Sequence, residues 1–159
     1  MSEDFDRVLN PMPPLGAMMA KARAASRASP NRVRQVGVVL LTRDGPEIGA
    51  CNTFPPGVRD LDERCEGEAR FVWMEHAERR AIFAAARHGI ATQGAHLTTT
   101  FFPCIDCARA IVDCGIACVD TPAPAFGDPV WGGAFARSQV ILGEGGVEVR
   151  IVEEKAPQA

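Results

Sequence analysis

The chain has 159 residues, 47% of them hydrophobic and 23% charged, a globular composition at a length that makes a single domain. Such a chain buries enough surface to fold without disulfides or a structural metal, and no apolar run approaches the roughly 20 residues of a membrane span. Seventeen basic against twenty acidic residues give a net charge of -3, without the cationic excess that grips phosphate backbones, so small substrates are expected and a nucleic acid polymer is not.

The start, MSEDFDRVLN, is acidic and has neither the basic region nor the apolar core of a signal peptide, which points to the cytoplasm. In that reducing compartment, clustered cysteines read as metal ligands or reactive thiols before they read as cross-links. The domain runs 1–159, and its ends, 1–14 and 153–159, read as loosely held. After Pro14, the alanine- and methionine-rich stretch Leu15 to Ala28 predicts a helix that Pro30 ends. Gln35 to Thr42 is a β-branched run, Asp44-Gly45 a turn signal, and Glu47 to Thr53 a second strand, which together predict a hairpin. Residues 54–74 mix turn formers with alternating charges and read as an exposed, ligand-accessible loop, either a connector or a lid.

Glu75 to His88 carries Ala77, Ala81, Ile82, Ala85 and Ala86 at helical period and stops at Gly89. Ala95 to Phe102 predicts a strand, Cys104 to Cys114 a helix stopped by Gly115, and Ile116 to Thr121 another strand. A loop with Phe126 and Trp131 leads to a helix over Val130 to Leu142 and a last strand over Val147 to Val152. Alternation of strand and helix implies parallel strands with right-handed crossovers. The expected fold class is α/β: a three-layer α/β/α sandwich around a mixed five-stranded sheet.

Two segments carry chemistry. His76-Ala77-Glu78 opens one helix, and Pro103-Cys104-Ile105-Asp106-Cys107 opens the next. Cysteines three apart at a helix start project from one face and can share one ion. The positive end of the helix dipole favours the thiolates a metal needs, and Pro103 suits an entrance where amides are unpaired anyway. One imidazole and two thiolates select zinc, and three protein ligands are the number of a catalytic rather than a structural site. Water at the remaining position would ionise near neutral pH, and Glu78 stands where it can shuttle that proton. His-x-Glu paired with Pro-Cys-x-x-Cys is the signature of zinc-dependent nucleobase deaminases.

On these motifs the chain resembles the zinc-dependent cytidine and deoxycytidylate deaminase superfamily from about Val33 to Val152, most of all its deoxycytidylate branch. The resemblance extends to Asn52 ahead of a Pro-x-Gly turn in ACNTFPPGV. It implies a cytidine deaminase-like fold and one catalytic Zn2+ per chain. The implied enzyme is a hydrolase of C–N bonds in cyclic amidines, active in nucleotide metabolism and built as a homo-oligomer. It makes His76, Cys104 and Cys107 the metal ligands, Glu78 the catalytic residue, Asn52 a ligand of the sugar or base edge, and the Ala77 amide a donor to the ring carbonyl. Phe102, at the end of its strand, is a further candidate for substrate contact.

The chain departs from the family's pattern in three places. Pro56 stands where relatives often carry an arginine for the nucleotide phosphate. Arg80 replaces an asparagine two residues after the glutamate; one turn beyond His76, it reads equally as an anion ligand and as a salt-bridge partner. There is no tyrosine, so Phe126 or Trp131 is left to stack on the ring, unless both belong to the core.

Among the other histidines and thiols, His88 reads as a helix C-cap and His96 has no assigned role. Cys114 and Cys118 read as buried core thiols. Cys51 and Cys65 read as free thiols, with a second ion as the alternative. The expected reaction is hydrolytic deamination of an aminopyrimidine nucleotide, deoxycytidylate first. A free base, a nucleoside or another amino-heterocycle is the variant that Pro56 and Arg80 suggest. From other classes, a structural zinc-binding interaction module and a redox dithiol at CIDC also remain open.

Overall fold

The computed structural model describes residues 10–154. In chain order its elements are α1 (Met19–Ser26), β1 (Gly37–Leu41), β2 (Glu47–Cys51), α2 (Ala69–Trp73), α3 (Ala77–Arg87), β3 (His96–Thr99), α4 (Ile105–Asp113), β4 (Cys118–Thr121), α5 (Gly132–Glu144) and β5 (Glu148–Ile151). The strands form one mixed sheet in the order β2-β1-β3-β4-β5. β1 pairs antiparallel with β2, from Gly37 against Cys51 to Leu41 against Glu47, and antiparallel with β3 on its other side. β3, β4 and β5 run parallel. α4 and α5 supply the crossovers that parallel neighbours require.

Alternation along β1 assigns the layers. Val38 and Leu40 point into the main core with Ala81 and Ala85 of α3, Ile111 of α4 and Leu142 of α5. Val39 points the other way, onto Met19 and Ala22 of α1. Both faces of the strand are therefore covered, which is why it reads as a continuous apolar run. Gly37 is required for this packing, because a Cβ there would run into the Ala22 carbonyl oxygen and the Ser26 amide nitrogen. Thus the α1 backbone lies directly on β1.

α3 and α4 end alike. Gly89 and Gly115 take positive φ angles of 66° and 76°, and the next amides, of Ile90 and Ile116, reach back to the Ala85 and Ile111 carbonyls. This six-residue closure spends the last helical carbonyls and needs a glycine.

Three expectations need correcting. Residues 54–74 are more than an open loop: they hold a single 3-10 turn at Asp62–Arg64, the short α2, and a small core of Phe54, Cys65 and Met74. The expected loose ends extend beyond the described residues at 1–9 and 155–159, but 10–14 are tied down. The Asn10 amide donates to the Gly45 carbonyl at 3.2 Å, and Arg150 donates to the Pro13 carbonyl at 3.0 Å. Arg150 also bonds the fully buried Asp120 carboxylate at 2.6 and 2.9 Å. That carboxylate accepts from the Gly16 amide at 3.0 Å and lies 3.2 Å from His96 Nε2. His96 is thus a member of a buried polar network. Cys118 is fully buried as expected, whereas Cys114 is half-buried, its thiol turned to the Ile111 carbonyl. No helix among the described residues is long and apolar enough to cross a membrane.

Candidate active site

α3 and α4 start side by side on the core face of the sheet, and the residues just outside each start are the ones that converge. His76 is the N-cap of α3, in extended backbone conformation, and Cys104 is the N-cap of α4. Pro103 precedes that cap rather than opening the helix. An antiparallel bridge between Thr53 and Glu75 holds the strand-like approach to His76, with N···O distances of 3.1 and 2.8 Å. The His76 Nδ1 atom lies 3.4 Å from Cys104 Sγ and 3.5 Å from Cys107 Sγ.

A tetrahedral zinc with Zn–N near 2.0 Å and Zn–S near 2.3 Å requires N···S separations of about 3.5 Å, so the donor set fits the ion in both chemistry and spacing. Among the described residues, this group offers three ligand atoms, within 4.8 Å of one another. The thiols share their protons unequally. Hydrogen bonds from the Cys107 thiol and from His76 hold Cys104 at a pKa of about 4, against the opposing effect of burial. Cys107 is pushed upward by that same bond and by burial.

Glu78, the second residue of α3, is 3% exposed. Its carboxylate accepts from the Cys107 thiol at 3.6 Å and from the Thr99 hydroxyl of β3 at 3.4 Å. Burial raises its pKa above the usual carboxylate range, partly offset by the charge of His76. The carboxylate therefore stands beside the three donors without being one of them.

These groups form the floor of a cavity of about 150 Å³. Of the residues expected at the site, His76, Ala77, Glu78, Asn52, Phe102, Cys104 and Trp131 line it, while Cys107 lies behind them, fully buried. Asn52 is a brace before it is a ligand. Its side-chain oxygen accepts from the Val36 amide at 2.8 Å and its amide donates to the Arg34 carbonyl at 2.9 Å, which leaves one hydrogen and one lone pair for anything else. The Asp128 carboxylate holds Trp131 at the start of α5, accepting from the Val130 and Trp131 amides at 2.8 Å. Those bonds keep the Asp128 pKa low.

Arg80 and Phe126 do not line the cavity. His76 is outside the helix proper, so counting one turn from it does not put Arg80 on its face. The guanidinium instead lies toward β2, where its charge acts on Cys51. Phe126 is 49% exposed on the loop ahead of α5, its carbonyl packed on Gly132. Cys51 and Cys65 are free thiols, and Cys65 donates to Asp60 and to the Leu61 carbonyl.

Sequence reasoning missed part of the wall. Phe101 and Phe135 meet edge to face with centroids 5.6 Å apart, and Phe102 meets Phe135 at 5.8 Å. Arg34 lies 4.0 Å over the Phe101 ring, and Arg70, from α2, lies 4.1 Å over the Phe71 ring. Besides the expected Phe102, the side chains of Phe101, Phe135, Arg34, Arg70 and Phe71 line the cavity together with Asn31 and Val33. The only available signals were the Arg70-Phe71 pair and the lid reading of residues 54–74.

Comparison with known proteins bears on this geometry. The family model of the cytidine and deoxycytidylate deaminase zinc-binding region matches residues 14–121. An uncharacterized deaminase in the luxG 3′ region of Aliivibrio fischeri is 33% identical over 116 residues, 72% of this chain and 77% of that protein. The deoxycytidylate deaminase of Enterobacteria phage T2 is 51% identical over 41 residues, 26% of this chain and 22% of that protein. Among solved structures, the dCMP deaminase of cyanophage S-TIM5 has the same fold, with a TM-score of 0.68 at 24% identity over 86% of this chain and 94% of that one. A zinc-fitting donor triad with a carboxylate beside it, on this fold and within this match, identifies the chain as a zinc-dependent hydrolytic deaminase of the cytidine and deoxycytidylate deaminase family.

Proposed function

We propose that the chain deaminates an aminopyrimidine nucleotide, deoxycytidylate first among candidates, replacing the exocyclic amine by a carbonyl and releasing ammonia. One observation carries the reading. The same cavity has His76, Cys104 and Glu78 at its floor and two guanidinium groups, Arg34 and Arg70, in its wall. The 41-residue similarity to a phage deoxycytidylate deaminase supports the same substrate.

His76, Cys104 and Cys107 would hold the zinc, which would supply the Lewis acidity that makes water a nucleophile near neutral pH. Glu78 takes the proton released as water adds to the amine-bearing carbon. It delivers that proton to the ring nitrogen, then takes the proton of the added hydroxyl and passes it to the leaving amine, so that a C–N bond breaks, a C=O bond forms and one water is consumed. The Ala77 amide, first in α3 and without an intrahelical acceptor, donates to the ring carbonyl. Asn52 uses its remaining hydrogen and lone pair on the sugar or base edge. Phe102 and Trp131 enclose the ring and exclude bulk water.

Arg34 and Arg70 take the 5′-phosphate, in place of the arginine that Pro56 displaces from the turn after Asn52. Six free thiols suit a reducing, cytoplasmic setting. Phe71 and Trp131, 54% and 41% exposed, suit a homo-oligomer closing over the cavity mouth.

An ammonia-release panel of dCMP, deoxycytidine, cytosine and guanine tests the substrate. Arg34→Gln and Arg70→Gln should each raise KM for dCMP about 10- to 100-fold, the worth of a charge-assisted hydrogen bond, and leave deoxycytidine unchanged. Turnover of deoxycytidine or cytosine as efficient as that of dCMP would overturn the nucleotide reading.

A further inference from the structure

The two helix starts that carry the metal ligands are also joined by charge. Arg79, on the first turn of α3, donates from Nε to Glu75 Oε1 at 2.6 Å, and its terminal nitrogen pairs with the same oxygen. Glu75 Oε1 also accepts from the His76 amide at 3.0 Å, so this carboxylate holds the backbone of the first ligand. The other arm of Arg79 reaches across to α4, with Nη1 3.5 Å from Asp106 Oδ2. Asp106 lies between Cys104 and Cys107 in sequence, and it pairs with Arg109 on its outer side. The chain Glu75–Arg79–Asp106 therefore spans the gap between the element bearing the imidazole and the element bearing both sulfurs. Its central guanidinium is near enough to both cysteines for their charge to act on it.

We propose that Arg79 is a positioning residue for the metal centre, a brace that fixes the separation of the α3 and α4 starts and so retains zinc. The donor atoms come from two separate elements, so the N···S spacing that fits the ion survives only while those elements stay in register. Within the triad, only the contacts of His76 Nδ1 with the two sulfurs, at 3.4 and 3.5 Å, cross that gap before the ion binds, and a single ring nitrogen does not fix a register. A planar fork that engages one carboxylate on each element does, and lysine, a point charge on a flexible stem, cannot engage both in the same way. The Arg79 and Asp106 side chains are 21% and 57% exposed, and such surface pairs add little to global stability. The signature of the brace is therefore metal retention rather than melting temperature. The inference rests on the zinc ligand set and not on the choice of substrate.

The test is zinc affinity of the full chain by competition with a chromophoric chelator, for the wild type, R79Q, R79K, D106N and the R79Q/D106N double variant, with circular dichroism on each. Groups that orient metal ligands cost about 10- to 100-fold in affinity when removed. R79Q should weaken zinc at least about tenfold on that scale, R79K and D106N should also weaken it, and the double variant should bind no more weakly than R79Q, since one link is cut twice. R79Q binding within twofold of the wild type overturns the brace. So does a weakened R79Q beside an unaffected D106N, which would reduce Arg79 to a local charge. Should R79Q misfold, D106N, at an exposed position, decides the question alone. A wild type that takes up no zinc overturns the metal reading and the brace with it, whereas failure of the nucleotide panel leaves this measurement untouched.

Discussion

Replacing Glu78 by glutamine separates its chemical role from its structural one, because the amide keeps the shape and loses the proton. Removing a positioned proton donor and acceptor costs about 10²- to 10⁴-fold in rate, or roughly 2.7 to 5.4 kcal/mol of transition-state free energy. Stability should move the other way. At 3% exposure Glu78 is a carboxyl that burial already disfavours in its charged form. Its neighbours, the Thr99 hydroxyl at 3.4 Å and the Cys107 thiol at 3.6 Å, are long contacts that an amide oxygen can still accept. Relief of the burial penalty is expected to leave the melting temperature unchanged or raise it by up to about 4 °C, the shift that 1 kcal/mol produces in a chain of this size. The assays are ammonia release at saturating substrate, zinc content of the purified variant, and a thermal melt. A zinc-loaded Glu78→Gln protein with kcat reduced less than about tenfold would refute the proton shuttle, since that loss lies below the range for this catalysis. A melting temperature lowered by more than about 5 °C, beyond a 1 kcal/mol effect, would show that the carboxylate serves the fold instead.

Chelation should abolish activity and leave the circular dichroism of the fold in place, because the Leu40, Leu97, Ile111 and Leu142 core lies on the sheet and does not depend on the ligand set; zinc should restore turnover, and collapse of the fold on chelation would contradict this. Gly37→Ala should destabilise by about 3 kcal/mol or more, the upper range for overpacking, because a Cβ there meets the α1 backbone rather than a side chain that could yield; the urea midpoint measures it. Asp120→Asn should cost roughly 3 to 5 kcal/mol, the penalty for breaking a buried pair. Burial pushes the Asp120 carboxyl up, but the bonds from Arg150 and from the Gly16 amide outweigh it and hold its pKa below the usual carboxylate value. That contribution is complete above the unfolded-state pKa of about 3.9 and disappears as pH falls toward the lower folded value. Melting curves of wild type and Asp120→Asn should therefore converge only below about pH 4, and a gap that closed on the alkaline side would contradict the assignment.

What could be read in advance divides along a physical line. The sheet, its mixed pairing and the crossover helices follow from local signals: β-branched runs, helical period, glycine stops. The metal triad is nearly as local. Two cysteines three apart at a helix entrance need only the helix to form, and the histidine needs only the adjacent helix on the same core face. Arg80 shows where such counting fails. The i, i+4 relation holds between two helical residues, and His76, with φ of -66° and ψ of 149°, is still extended. The arginine four positions on therefore answers to the register of α3, which turns it toward β2. The cavity wall was illegible for a different reason. Arg34 and Arg70 come from segments with no pattern of their own, and one of them is positioned by the Asn52 amide bonding the backbone at residues 34 and 36.

The same geometry shows what the fold gives up at this site. A helix start is ordinarily secured by a Ser, Thr, Asp or Asn cap worth about 1 kcal/mol. The cap of α3 is His76, whose side chain makes no capping bond, and that of α4 is Cys104, whose sulfur accepts from the Cys107 amide at 3.5 Å. Both cap positions are thus given to proposed zinc ligands. The compensation is visible around them: the Thr53–Glu75 bridge ahead of α3, the Glu75 carboxylate on the His76 amide, and the Ser138 hydroxyl of α5 on the Pro103 carbonyl at 2.7 Å. Each holds backbone adjoining a ligand from outside its helix. The positive ends of two helices, left free of ordinary caps, face two sulfurs and a carboxylate, an arrangement that favours negative charge at the floor of the cavity.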